Sequence, residues 1–173
     1  MTETIADTDD RTSVPTPAKG AHPKFNHVAM SVPSDLLREQ GRKEILDFYG
    51  EVFGWQEMPT QTEDGRVFVL MAYEFGQFVF LIADDDPMTC PRKDHFGMSV
   101  PSIEMLEEFL AKCEAYREKD DRVDIVPKHT DDFGVLKLTS FYVRYLLPLM
   151  IEVQHFEWVP GGEYKEPEIA PLS

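Results

Sequence analysis

The chain has 173 residues and a formal net charge of −15, from 17 Lys and Arg against 32 Asp and Glu. A surface this acidic repels phosphate groups, so nucleic acids and anionic membranes are poor candidate partners. Hydrophobic residues make up 42% of the chain, which excludes wholesale disorder, and no apolar run approaches the roughly 20 residues of a membrane-spanning helix.

The ends of the chain and its cysteines predict a reduced cytoplasmic protein. The first residues, MTETIADTDD, lack the basic and apolar segments of a signal peptide, and the two cysteines, Cys90 and Cys113, form no disulfide framework. Residues 1–22 contain hardly a large apolar side chain and are predicted to be a disordered leader. Residues 160–173 lack periodicity and are predicted to be an extended tail, which leaves 23–159 as the single folded domain.

A repeated segment organises this domain. The segment NHVAMSVPS begins at Asn26 and DHFGMSVPS begins at Asp94, with six of nine positions identical and an offset of 68 residues. Self-similarity this dense indicates two copies of one structural unit. We call them module one, 25–83, and module two, 94–157.

Each module is predicted to contain a strand, a helix and three further strands, in the order βαβββ. The first strand ends at a proline, and a segment with apolar residues at helical spacing follows it. Glycine, aspartate and proline turns then separate three extended segments. These segments are predicted at 55–59, 66–75 and 77–83 in module one, and at 123–129, 135–146 and 150–158 in module two.

The first strand of each module places a histidine beside small residues. Alternate side chains share a face of a strand, so His27 and His95 each lie opposite the apolar face that must pack on a helix. Small neighbours leave space beside each imidazole, as a ligand pocket requires. The repeat predicts that both imidazoles face one shared cavity, where Ser31 and Ser99 are predicted to contact a substrate.

A carboxylate in the last strand completes a candidate metal site. Glu152 lies within the apolar run 146–153, where a charge is costly unless it is paired or bound to a cation. Two neutral imidazoles and one carboxylate would hold a divalent ion and leave positions open for substrate or oxygen. The predicted ligands are therefore His27, His95 and Glu152.

These segments resemble the vicinal oxygen chelate superfamily, which includes glyoxalase I, bleomycin-resistance proteins, fosfomycin-resistance enzymes, methylmalonyl-CoA epimerases and extradiol dioxygenases. The similar motifs are FNHVAM from Phe25, ILDFYGEVFGW from Ile45, DHFGM from Asp94, FYVR from Phe141 and the pair ending at Glu152. The resemblance implies an α+β fold in which two tandem βαβββ modules form a cupped, incomplete eight-stranded mixed barrel. It also implies a metal held by the three predicted ligands, a small-molecule substrate that chelates the metal through vicinal oxygens, and compatibility with a homodimer.

The resemblance leaves a fourth ligand position open. Alignment of the hairpin turns places Phe80 where glyoxalase I has a glutamate, whereas the gapless offset places Asp84 there. With Phe80, the ligand set is the two-histidine, one-carboxylate triad of Fe(II) oxygenases. Fe(II) is then the favoured ion, with Zn, Mn or Ni as alternatives. Tyr142, which precedes Glu152 as in extradiol dioxygenases, and His129 are the predicted catalytic residues.

The expected function is a divalent-metal-dependent enzyme, and an extradiol-type ring-cleaving dioxygenase is favoured. Its signature is incomplete, because the histidine expected shortly before Phe141 is absent. A glyoxalase- or epimerase-like lyase or isomerase is one alternative, and a metal-free drug-binding module of the bleomycin-resistance type is another. A phosphonate substrate is disfavoured because the sequence shows no cluster of cations near the site apart from Arg144, which is predicted to contact substrate.

Overall fold

The structure is a computed structural model that describes residues 25–161. The predicted leader, 1–22, lies outside the described residues, as does the predicted tail from residue 162 onward. In chain order the elements are β1 (His27–Pro33), α1 (Glu39–Phe53), β2 (Gln56–Glu57), β3 (Val67–Met71), β4 (Phe78–Asp84), β5 (His95–Ser99), α2 (Ile103–Arg117), β6 (Asp124–Asp132), β7 (Leu136–Arg144) and β8 (Met150–Trp158).

The strands form two four-stranded sheets with the same topology. Their strand orders are β1-β4-β3-β2 and β5-β8-β7-β6. In each sheet the first strand of the module pairs in parallel with the last, and the remaining pairs are antiparallel. Neither sheet closes on itself, so the predicted α+β fold of two tandem βαβββ modules with a cupped, incomplete barrel is confirmed.

Local sequence determines where the helices begin and end. A 3-10 turn, Ser34–Leu37, precedes α1, although the apolar spacing predicted that Leu36 and Leu37 belong to the helix. Gly41 allows the turn to approach, since a Cβ there would lie 2.4 Å from a carbonyl oxygen of the turn. Helix α1 ends at Gly54, whose φ of 73° favours glycine. The Ser102 side chain caps α2.

No helix within 25–161 has the length and hydropathy to cross a bilayer.

Three strands differ clearly from the predicted lengths. Strand β3 covers only Val67–Met71, five residues, where 66–75 was predicted. Strand β2 has only two residues where five were predicted, because the chain turns from residue 59 onward. Strand β6 continues past His129 to Asp132, with a register shift between Val126 and His129. Pro127 lies in this shift, and a proline cannot donate a ladder hydrogen bond. The bulge changes which way the following side chains face.

The two modules pack against each other through their helices. Helix α1 contacts α2, and the Phe48 ring centroid lies 5.0 Å from that of Tyr116 and 4.8 Å from that of Tyr145. The Tyr49 hydroxyl donates a hydrogen bond of 3.0 Å to the Tyr145 carbonyl. The core therefore lies between the helices and one face of each sheet, and the opposite face of each sheet stays open.

Candidate metal centre

The open face of each sheet carries the histidine predicted for it. His27 in β1 is exposed, whereas Met30 and Val32 on the other face are buried. In β5, His95 is exposed and Phe96 packs against the core. The alternation predicted for both first strands is therefore confirmed.

The fold brings His95, Glu152 and Tyr142 together on the open face of module two. The register pairs Gly97 of β5 with Glu152 of β8, and Glu152 with Tyr142 of β7. His95 Nε2 lies 3.4 Å from Glu152 Oε2, and the Tyr142 hydroxyl donates to Glu152 Oε1 at 2.8 Å. Gly97 leaves room for the Gln154 carboxamide beside Glu152, since a Cβ at Gly97 would lie only 2.9 Å from Gln154 Nε2.

The contact between His95 and Glu152 is favourable when a cation, either a proton on His95 Nε2 or a metal ion, lies between the two groups. His95 Nδ1 lies 2.7 Å from the Lys93 carbonyl oxygen, which accepts a hydrogen bond from a protonated nitrogen. In the neutral ring Nε2 is then an acceptor, and it faces a second acceptor, Glu152 Oε2. Glu152 is only 8% exposed, so water does little to stabilise its charge. This donor set fits a divalent metal ion.

The Tyr142 hydroxyl is hydrogen-bonded to the Glu152 carboxylate and does not point into solvent. Burial, together with the hydrogen bond to Glu152, raises the pKa of the Tyr142 hydroxyl above its usual value, and the nearby Ser140 hydroxyl has a smaller opposite effect. The hydroxyl therefore stays protonated at neutral pH and remains a donor to Glu152. Its contact with the predicted ligand was not foreseen from the sequence, which predicted a catalytic role for Tyr142.

His129 reaches the same face because of the bulge in β6. Val126 pairs with Tyr142, and His129 pairs with the residue two positions before Tyr142, so three steps along β6 match two along β7. The His129 ring stacks on Tyr142, with centroids 5.9 Å apart and planes 9° apart. The His95 and Tyr142 rings pack edge to face, with centroids 5.1 Å apart and an interplanar angle of 80°. His129 Nε2 lies 3.4 Å from Asp131 Oδ2.

His27 does not join this cluster within one chain. Its Nδ1 lies 2.8 Å from Asn26 Oδ1, and its ring stacks on Phe78 with centroids 4.9 Å apart. Across residues 25–161, no three His, Cys, Asp or Glu side chains converge to hold one metal ion. Within one described chain His27 therefore does not complete the predicted set of three ligands, and the modules contact each other through their helices.

The register identifies the residue of module one that is equivalent to Glu152. Ala29 pairs with Phe80 as Gly97 pairs with Glu152, whereas Asp84 ends β4 four residues later. Phe80 occupies the equivalent position, in agreement with the alignment of the hairpin turns. Module one thus has no carboxylate there.

The other predicted substrate contacts have different environments. Ser31 Oγ accepts a hydrogen bond of 2.8 Å from the Met88 amide, which ties the segment between the modules to β1. Arg144 donates to Asp124 at 3.1 Å and to a backbone carbonyl at 3.2 Å, so its guanidinium is already engaged. Ser99 is exposed on the open face of β5.

Two polar residues of this face had no predicted role. Ser140 is fully buried and pairs with Gln154 across β7 and β8. Among the described residues, its Oγ has no hydrogen bond of normal geometry. The signal available in the sequence was alternation, since Ser140 lies two residues before Tyr142 and Gln154 two residues after Glu152.

A single chain leaves the centre open. Clefts of about 600 Å³ and 640 Å³ lie around α1, and neither is lined by His95 or Glu152. The His95 side chain is 37% exposed. The candidate centre therefore lies on an uncovered sheet face.

Solved structures with a similar fold come from several bacteria. The chain is similar to lactoylglutathione lyase from Agrobacterium tumefaciens, with a TM-score of 0.55 and 16% identity over 79% of this chain and 96% of that chain. It is similar to the fosfomycin resistance protein FosX from Listeria monocytogenes, with a TM-score of 0.52 and 13% identity over 78% and 94%. It is also similar to a glyoxalase/bleomycin resistance protein from Albidiferax ferrireducens, with a TM-score of 0.52 and 18% identity over 76% of this chain and 98% of that chain.

These identities establish the fold alone. The chain has the fold of the vicinal oxygen chelate superfamily, and the resemblance drawn from its motifs is confirmed at that level. One FosX structure of this group, a variant, contains Mn(II) and a dihydroxypropylphosphonic acid. The sequence matches no protein-family model and has no significant match among curated proteins.

Proposed function

We propose that this protein is a divalent-metal-dependent enzyme that acts on a small organic molecule with two adjacent oxygens. The observation that carries the proposal is the pair of acceptors, His95 Nε2 and Glu152 Oε2, which face each other at 3.4 Å. A bound divalent ion would supply Lewis-acid chemistry by polarising the substrate oxygens. The shared fold with a lactoylglutathione lyase and with FosX supports this class of enzyme.

The chain's own residues prepare the centre. The Lys93 carbonyl holds the proton of His95 on Nδ1, so that Nε2 is free to bind. The Tyr142 hydroxyl engages Glu152 Oε1, which leaves Oε2 directed at His95. His129 stacks on Tyr142 and can take up or release a proton at Nε2. Lyase and isomerase reactions next to a polarised oxygen need such a proton transfer, and we assign it to His129.

The third ligand, His27, is proposed to come from a second copy of the chain. One chain brings together only His95 and Glu152, and His27 lies on β1, an edge strand like β5. The open face of module one exposes apolar side chains, among them Ile82 at 37%. Module two of another copy would cover this apolar face and bring the two halves of the centre together.

Metal titration tests the ligands. Wild type is expected to bind Mn(II), Zn(II) or, without oxygen, Fe(II), as measured by calorimetry on protein without a His-tag. His95→Ala and Glu152→Ala are expected to weaken binding by about a hundredfold or more, because each removes a direct ligand. The control Thr139→Val, on the opposite face of β7, should bind like wild type. Equal binding by every variant, or none by wild type, would contradict the proposal.

A mixed dimer tests the second copy. His27→Ala and Glu152→Ala would each destroy both centres of a homodimer. A heterodimer of the two variants keeps one complete centre, which is formed by His27 of one copy with His95 and Glu152 of the other. Co-expression with two different peptide tags should yield a heterodimer that binds one ion per dimer. If all three ligands came from one chain, this heterodimer would bind none.

An extradiol-type dioxygenase that uses Fe(II) is the second candidate. It is favoured by the donor set, two imidazoles and one carboxylate with Phe80 at the remaining position. Oxygen consumption by Fe(II)-loaded protein with catechol, matched by ring-cleaved product, would select this candidate. Turnover of a hemithioacetal or an epoxide by Mn(II)- or Zn(II)-loaded protein would select the lyase or isomerase class. Tight bleomycin binding by metal-free protein would instead indicate a drug-binding module.

A further inference from the structure

The open face of module two carries a second line of side chains beside the metal centre. Side chains that face one another across the four strands form the line through the centre, which comprises Gly97, Glu152, Tyr142 and Val126. The next line on this face is polar throughout and comprises Ser99, Gln154, Ser140 and His129. We call this second set the polar row. It crosses the whole sheet from β5 to β6.

Ser140 is the member of the polar row that indicates a ligand. It is fully buried, and its Oγ has no hydrogen bond of normal geometry to any residue from 25 to 161, although it lies close enough to the Tyr142 hydroxyl to lower the pKa of that group. A buried hydroxyl that makes no well-formed hydrogen bond is costly, so its presence in a native protein needs a reason. Its neighbours in the row are more accessible, since Gln154 is half-buried and His129 is exposed, so a bound group would contact them as it reaches the row.

Gln154 connects the polar row with the metal centre. A Cβ built on Gly97 would lie 2.9 Å from Gln154 Nε2 as well as 3.7 Å from Glu152 Oε2. The carboxamide therefore extends over Gly97, beside the ligand carboxylate. A molecule held at the centre would meet this amide first and the rest of the polar row beyond it.

The polar row suits a neutral group rather than an anion. Its members are two hydroxyls, a carboxamide and an imidazole, which together donate and accept hydrogen bonds. The nearby cation on this face, Arg144, is already paired with Asp124 at 3.1 Å. The adjacent charged groups Glu152 and Asp131 are both acidic, so a phosphonate or carboxylate would be repelled.

We propose that the polar row binds a neutral hydrogen-bonding group of the substrate, such as a hydroxyl, carbonyl or carboxamide, while two adjacent oxygens of the same molecule meet the metal. This inference rests on the proposed function. The polar row lies two residues along the strands from the centre, so the neutral group lies about 7 Å from the chelating oxygens. On binding, it would give Ser140 a hydrogen bond of normal geometry.

Benzohydroxamates test the inference, because each has two adjacent chelating oxygens and a variable para group. The probes are the para-carboxamide, para-methyl and para-carboxylate compounds, titrated by calorimetry into Mn(II)-loaded protein. The carboxamide is expected to bind about tenfold more tightly than the methyl compound, and the carboxylate more weakly than both. A wild type that binds carboxamide and methyl compounds equally would overturn the inference.

A double variant with a matched control locates the preference. Ser140→Ala with Gln154→Leu is expected to bind the carboxamide and methyl compounds equally. The control Thr139→Val removes a hydroxyl from the residue just before Ser140, whose side chain lies on the opposite face of the sheet. This variant should keep the tenfold preference for the carboxamide. A double variant that keeps the preference would show the inference to be wrong. Failure of acetohydroxamate, which has no para group, to bind Mn(II)-loaded wild type would overturn the proposed function and the inference together.

Discussion

The two modules have the same topology and register, but their open faces differ in chemistry. Module two presents a carboxylate, a phenol and the polar row. The equivalent positions of module one carry apolar side chains, namely Phe80 for Glu152, Val69 for Tyr142, Ile82 for Gln154 and Val67 for Ser140. The histidine and serine of the first strand occur in both modules.

The two modules therefore share a fold and a strand register, but most side chains at equivalent positions of their open faces differ in polarity. An apolar open face is suited to being covered, since it gains free energy when it leaves water. A polar open face with a buried carboxylate is suited to binding an ion and a polar molecule. In the proposed dimer, a substrate would therefore meet aromatic and aliphatic side chains on one side and hydrogen-bonding groups on the other.

The largest expected effect comes from removing the charge of module two. Glu152→Gln keeps the size of the side chain and is expected to weaken metal binding by about a hundredfold, because a direct anionic ligand is lost. The change at the equivalent position of module one, Phe80→Leu, keeps an apolar side chain and should leave metal affinity unchanged. Calorimetric titration of both variants checks this contrast, and similar losses in the two would contradict it.

The reverse substitution, Phe80→Glu, gives module one the residue of module two. A carboxylate at this position would lie in the same relation to His27 as Glu152 does to His95, so we expect about tenfold tighter metal binding. We also expect the free energy of unfolding to fall by about 1–2 kcal/mol, because an apolar contact is replaced by a charge. Unchanged metal affinity in a folded variant would indicate that His27 lies away from the centre.

A smaller effect is expected for Tyr142→Phe. Its hydroxyl holds Glu152 Oε1 at 2.8 Å, and a hydrogen bond of this kind contributes about 0.5–1.5 kcal/mol. Metal affinity should therefore fall about threefold to tenfold. Tyr73→Phe, at an exposed tyrosine of module one, serves as the control. Equal metal affinity in both variants, with a turnover defect only in Tyr142→Phe, would instead support the catalytic role that the sequence predicted.

The sequence predicts what depends on local pattern. The nine-residue repeat predicts two modules, and strand alternation places His27 and His95 on the open faces. The position of Glu152 in an apolar run indicates a buried charge that needs a partner. The equivalence of Phe80 with Glu152 followed from aligning the hairpin turns, because turns fix the register of the strands they join.

What depends on packing between elements was not predictable. The face of His129 is set by the bulge at Pro127, since a shift of one residue moves a side chain to the other face. The contact between Tyr142 and Glu152 requires the register of β7 against β8. The separation of the two histidines depends on how the modules join, and the alternation within a strand contains no information about that.

The smallest expected effect concerns the junction that holds the two modules in place. Asp120 Oδ2 accepts hydrogen bonds from Arg122 at 2.5 Å and from the Tyr145 hydroxyl at 2.7 Å. Arg122 also donates to Glu44 of module one at 2.9 Å, so this network crosses the junction. The hydrogen bond from Arg122 is the main reason that the pKa of Asp120 is held well below its usual range.

Asp120→Asn is therefore expected to lower the free energy of unfolding by about 0.5–1 kcal/mol at pH 7, a modest value because the side chain is partly exposed and water screens its charge. The folded pKa lies below the unfolded value of about 3.9, so the stabilisation is complete above that pH and is lost as the pH falls through the folded pKa. Urea unfolding at pH 7, 5 and 3 should show equal differences from wild type at the first two values and a smaller one at pH 3. The control is Asp121→Asn, at the exposed neighbouring residue. An equal loss in this control, or a difference that does not shrink at pH 3, would show that the network does not stabilise the junction through the charge of Asp120.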